Sequence, residues 1–268
     1  MLFRSAVVTL ENVAGFLTSR GGADFRDAAA GLMEQGYAVD AILLDAKYFT
    51  PQSRPRVFVF GVAAELAPEG GAASAADWFS GEADRLRPER LVALLESLPE
   101  RPGWRRLPFP GPPTRALDLE DVLDVDHGQD WWSADEVERH YAMMHPAHRE
   151  QIERFVRSGE QWVGTVFRRI REGKQRAEVR FDGLAGCLRT PRGGSARQIV
   201  AAVVDGRFQM RWMSPAEYAR LQGASTFPLV GGTQQQLFGF ADAVCAPAVR
   251  SEEHTSELQS HSDLVCRL

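Results

Sequence analysis

A glutamate and two arginines stand at the borders of short apolar runs: Leu10-Glu11-Asn12-Val13 and, some forty residues on, Gln52-Ser53-Arg54-Pro55-Arg56. A carboxyl group can deliver a proton, and a guanidinium can stabilise a developing oxyanion. Together they suit a pocket for a polar heterocycle, such as a nucleobase extruded from a duplex. Each residue alone has a plainer reading. Glu11 would be a strand-end acid in a surface ion pair. Arg54 and Arg56 would be solvated charges at a strand edge, where Pro55 removes a ladder donor.

The elements that must carry these groups are legible nearby. Ala6-Val7-Val8-Thr9-Leu10 reads as a short buried strand. Asp24 opens a helix with Phe25, Ala28, Leu32 and Met33 at helical spacing, and Gly36 stops it. Strands at residues 39–44 and 56–62 follow, so the head of the chain is a fragment of an α/β sheet. Residues 63–130 accumulate Gly, Ala and Pro around one helix at 88–98, the character of an insertion or linker. Ser133 caps a helix running to Met144, and Pro146 starts another reaching Val156. Strands at residues 163–170 and 177–188, then a hairpin around Asp205-Gly206, come next. Ser214-Pro215 opens a helix ending near Gly223, and a last helix is predicted over residues 241–248.

The 268 residues, 44% hydrophobic and 25% charged, are enough for one large domain or two small ones. No apolar run approaches the ~18 residues of a membrane span, and no signal peptide opens the chain. Three widely spaced cysteines (Cys187, Cys245, Cys266) argue against a disulfide framework and fit a reducing cytoplasm. His140, His145 and His148 lack a completing Cys or carboxylate, so no metal is expected. The net charge of −5 conceals a basic stretch: residues 161–211 carry eleven Lys or Arg against four acids, a local +7. Such a stretch is either a solvated face or the footprint of docked phosphates.

Four motifs occur in order: Glu11-Asn12-Val13, Gln52-x-Arg54-x-Arg56, Glu217-x-x-Arg220-Leu221-Gln222-Gly223 and Gly239-Phe240-Ala241-Asp242-Ala243-Val244-Cys245-Ala246-Pro247. In this register, over about residues 4–249, the chain resembles the C-terminal part of DNA cytosine-5 methyltransferases. The resemblance implies an α/β fold: the last strands of a Rossmann-like, S-adenosylmethionine-dependent domain (1–62), a linker and inserted target-recognition region (63–211), and returning helices (212–249). It implies that Glu11 protonates N3 of a flipped cytosine, Arg56 stabilises O2, Arg54 holds phosphate, and Asn12 orders the nucleophile loop. Asp242 and Ala243 would touch the methionine end of the cofactor, although Ala-Asp here replaces the usual Gly-Asn. Double-stranded DNA would be the partner, with Gln52, Arg189, Arg192, Arg197 and Gln198 contacting it. Within residues 189–198, glycines permit close approach and Arg and Gln suit guanine and adenine edges. The other reading of that segment is a Gly-rich loop with phosphate-facing arginines.

The family's Phe-x-Gly-x-Gly cofactor loop and Pro-Cys nucleophile belong upstream of Glu11, and neither lies in the ten residues before it. The expectation is therefore a fragment of a bacterial or phage enzyme, inactive alone. The alternative is a non-catalytic DNA-binding subunit whose N-terminal half is separately encoded. Strands deprived of their neighbours would leave an aggregation-prone sheet edge. Residues 250–268 resemble a translated sequencing-library adapter, and without them the net charge is −3.

Overall fold

A computed structural model describes residues 5–67, 86–98, 105–107, 109, 111–125, 130–190 and 196–250. The chain divides into two units: residues 1–45, 55–113 and 250–268, and residues 46–54 and 114–249. The tail beyond 250 and Arg192 lie outside the described residues. No described helix is long and apolar enough to cross a membrane.

In the first unit, β1 (Val7–Val13), β2 (Tyr37–Asp45) and β3 (Pro55–Ala63) form a sheet in the order β1-β3-β2. Both pairings are antiparallel, so β1 and β2 run the same way on either side of β3. β1 is longer than expected: β3 begins early enough to set Arg56 opposite Val13, and the ladder runs on through Glu11. Glu11 thus sits inside the strand, where the pleat fixes its direction. Helix α1 (Ala23–Glu34) turns Phe25, Ala29 and Met33 inward, and α2 (Glu89–Glu96) adds Leu91, Val92 and Leu95. These pack with Val39, Ala41, Val57 and Val59 into one core. Gly36, at φ +80°, takes the left-handed turn out of α1. Asp40 and Arg87 form a fully buried ion pair, completed by the Leu107 amide donating to Asp40 Oδ2 at 2.8 Å.

The second unit carries α3 (Ala134–Ala142), α4 (Pro146–Ser158) and four strands: β4 (Trp162–Arg171), β5 (Lys174–Arg180), β6 (Ile199–Val204) and β7 (Arg207–Trp212). The sheet order is β5-β4-β6-β7, antiparallel throughout. Met144, Ile152, Trp162, Val166, Ile199 and Met210 fill one core. A second holds Ala185, Leu188, Val200, Tyr218, Leu237 and Phe240, with contributions from α5 (Pro215–Leu221) and α6 (Thr233–Asp242). Gly164 lets β4 lie close to its neighbours, since a Cβ there would stand 2.7 Å from the Arg180 carbonyl oxygen.

Two expectations are corrected. The strand predicted over 177–188 stops at Arg180. Residues 185–188 leave the sheet because the backbone of residues 51–53 takes their hydrogen bonds: the Ala185 amide donates to Pro51 O (2.7 Å), and the Ser53 amide to Ala185 O (2.9 Å). The helix predicted over 241–248 begins at Thr233 and ends at Asp242. Gln235 Oε1 accepts from the Gly232 amide and closes the earlier start. Residues 246–250 form a separate helical turn.

Candidate functional site

Glu11 and Arg56 meet as diagonal neighbours across β1 and β3 in the first unit, as the register Glu11 opposite Phe58 and Val13 opposite Arg56 requires. Glu11 Oε1 lies 2.7 Å from Arg56 Nε, and the two side chains are 27% and 14% exposed. Oε1 is buried, yet among the described residues no donor is aligned to it. The charges of the pair offset each other, and the Glu11 side chain keeps part of its surface exposed. Asn12 is exposed and uses Oδ1 to accept from the Val13 amide at 2.8 Å.

Gln52 and Arg54 depart from the roles expected of them. Both belong to the second unit and turn inward. Gln52 is fully buried: Nε2 donates to Leu221 O (2.9 Å), and Oε1 accepts from the Leu188 amide (3.2 Å). Arg54, 5% exposed, donates to Leu188 O (3.1 Å) and Ala243 O (2.7 Å). A buried guanidinium that donates to main-chain carbonyls is not presented to a phosphate, and the Gln52 amide, engaged at both ends, has neither left for a base edge. Both residues instead lock residues 185–188 to the ends of α5 and α6. Gln222 completes the lock by donating to Phe240 O at 2.6 Å.

The motif around Glu217 is likewise structural. Arg211 grips its carboxylate with two nitrogens, and the amides of Ser214 and Asp124 donate to it at 2.7 and 2.8 Å. Burial pushes this carboxyl up, but the Arg211 and amide hydrogen bonds outweigh it and hold the group below its ordinary value. Sequence reading recognised Glu217 as part of a motif but did not foresee its partner. Only the Ser-x-x-Glu spacing of the capping box signalled that this acid faces backbone amides.

The basic stretch supplies a pocket of about 300 Å³, bordered by Arg168, Arg169, Arg180 and Arg189 with Cys187, Gly186 and Gln198 deeper in. Arg169 is paired with Glu178 at 2.9 Å, while Arg189 is exposed. Arg197 is turned away: it donates to Met213 O (3.0 Å) and lies over Trp212, 5.3 Å from the ring centre. Gln198 is 3% exposed and lines the pocket. Each of the three histidines considered as metal ligands has a local engagement. His140 stacks on Trp132, with burial and the nearby Arg168 lowering its pKa. His145 caps α4, and His148 Nδ1 accepts from the Val179 amide.

Asp242 is exposed, and the Ala243 carbonyl is held by Arg54. An apolar pocket of about 290 Å³ lies nearby, walled by Phe227, Leu229, Val230, Phe240 and Val244, with no carboxylate in its lining. A cationic sulfonium with an amino-acid arm requires acidic or strongly polar partners. By themselves these residues do not fit that cofactor.

Comparison with known proteins gives three findings. The family described as C-5 cytosine-specific DNA methylase matches residues 3–252. Type II methyltransferase M.AgeI of Thalassovita gelatinovora is 47% identical over 62 residues, 23% of this chain and 14% of that protein. The methyltransferase EhMeth of Entamoeba histolytica superimposes with a TM-score of 0.52 at 12% identity, over 94% of this chain and 63% of that one. The last likeness is one of fold, and the chain spans less than two thirds of either relative.

Proposed function

This chain belongs to the C-5 cytosine-specific DNA methylase family, and from that premise we propose that it is the cytosine-pocket and target-recognition portion of a DNA cytosine-5 methyltransferase. The observation that carries the reading is the Glu11–Arg56 pair, which sets a carboxyl group and a guanidinium side by side on β1 and β3. In the proposed reaction a cysteine thiolate adds to C6 of a flipped cytosine. Glu11 delivers a proton at N3 as electron density builds there, and Arg56 steadies the charge at O2. Bound S-adenosylmethionine would supply the methyl group to C5, after which loss of the C5 proton would expel the thiolate from C6. Asp242 and Ala243 would contribute to its methionine end, with its other contacts coming from the polypeptide that would also bring the nucleophile.

The second unit is the DNA reader in this proposal, with Arg189 and Gln198 toward the duplex and Arg197 bracing Trp212; Arg192, outside the described residues, is proposed as a further DNA contact from its sequence alone. Gln52 and Arg54 hold the reader's internal geometry. The two cysteines among the described residues, Cys187 and Cys245, belong to the second unit and follow Glu11 in sequence, so neither is proposed as the nucleophile. The 268-residue chain is therefore expected to transfer no labelled methyl from S-adenosylmethionine to any duplex. Addition of a separate polypeptide carrying the Pro-Cys and cofactor loops restores transfer. Methylation by the chain alone overturns this reading. In the restored enzyme Glu11→Gln lowers kcat by about 10²–10⁴-fold, the range for a lost general acid, with little change in DNA binding.

A further inference from the structure

The Gln198 side chain lines the basic pocket, and its oxygen, Oε1, has no hydrogen-bond partner among the described residues. Its backbone is pinned from both sides: the amide N–H donates to the Tyr218 hydroxyl (3.1 Å), and the carbonyl accepts from the Met213 amide (3.1 Å). Beneath the side chain lies Gly186, where a Cβ would come within 3.3 Å of Nε2 and 3.4 Å of Oε1. The residue is 97% buried, taking its 3% exposure from the whole, and among the described residues Oε1 has no partner. A buried acceptor of this kind, in a pocket bordered by guanidiniums, is a strong preference for a ligand that brings a donor.

That requirement discriminates among the groups a duplex offers. A phosphate brings only acceptors and leaves Oε1 unpaired. The major-groove edges of guanine and thymine also present acceptors alone. Cytosine N4 donates to Oε1 but gives Nε2 nothing to donate to. Adenine satisfies both ends, its N6 amino group donating to Oε1 and its N7 accepting from Nε2. We propose that this pocket reads one adenine edge in the recognition sequence through Gln198, with Arg189 and its neighbours holding the flanking phosphates. The proposal rests on the reading of the second unit as a DNA reader and goes further by naming the base and the residue.

The test is selection from a pool of randomised duplexes with the 268-residue chain at nanomolar concentration, followed by sequencing of the retained DNA. The wild-type chain is expected to enrich adenine at one position by about tenfold, within the range of a bidentate pair. Gln198→Leu removes that preference. Gln198→Glu, nearly isosteric and so a guard against misfolding, keeps the acceptor and loses the donor. It is expected to admit cytosine beside adenine at the same position. Adenine enrichment that survives both substitutions overturns the inference, as does DNA binding by the wild type with no adenine preference. A chain with native circular dichroism that retains no duplex at low salt sinks the DNA-reader reading itself, a distinguishable result.

Discussion

Individual side chains here divide between those that face a ligand and those that hold the frame. Glu217 belongs to the second kind. Both carboxylate oxygens are engaged by Arg211 and two backbone amides, in surroundings where the pair is almost wholly buried. Removing one partner of such a pair costs about 3–5 kcal/mol, because the other charge is left uncompensated. Glu217→Ala should therefore lower the urea midpoint of the second unit sharply. The pH dependence has a definite sign. A carboxyl held below its ordinary value stabilises the fold above the unfolded pKa of about 4.3, and that stabilisation is lost as pH falls through the lower folded value. Urea midpoints between pH 6 and 3 should fall more steeply for the wild type than for Glu217→Gln; parallel slopes would refute the assignment. Arg54 teaches the converse lesson. Its place in the Gln52-x-Arg54-x-Arg56 motif suggested a phosphate contact, whereas its guanidinium donates to buried carbonyls. Nothing in residue type alone distinguishes a guanidinium that meets phosphate from one that caps carbonyls 134 and 189 positions away.

At the level of elements, the strands and helices with strong apolar patterning were legible from the sequence: β2, β3, the α1 helix with its Gly36 stop, and the Asp205-Gly206 hairpin; β1 was legible in place but not in burial, since none of its residues is buried. The misreadings fell where pairing is settled at long range. The run 185–188 is apolar enough for a strand but takes its partner from residues 51–53, a competition that local periodicity does not register. Glu11 was placed at the end of β1, because the length of a strand depends on where its neighbour begins. β1 pairs only with β3 among the described residues, and it leaves Leu10 39% and Val13 51% exposed. An apolar strand with an open edge favours self-association. The purified chain is expected to shift to larger species by light scattering as its concentration rises, and Leu10→Lys should suppress that shift without altering the circular dichroism. An unchanged concentration dependence would show that association lies elsewhere.

On the scale of the whole molecule, a chain of net charge −5 is proposed to hold a polyanion, and the concentration of basic residues in 161–211 makes this electrostatically sound. Affinity for duplex DNA should then fall linearly in log–log form with salt, with a slope of about −0.9 per phosphate neutralised. Arg189→Ala should shallow that slope by about one; an unaltered slope would remove Arg189 from the phosphate contacts. The order of the chain has one further bearing. Residues 46–54 are numbered between two strands of the first unit but belong to the second, and through Gln52 and Arg54 they grip segments near residues 188, 221 and 243. If the second unit is the reader proposed above, its specificity is not a cassette bounded by one pair of cut points. A graft that replaces residues 114–249 and leaves the nine residues of 46–54 behind would pair a new reader with the old lock. On that proposal, inheritance or engineering of a different target preference must carry both stretches together.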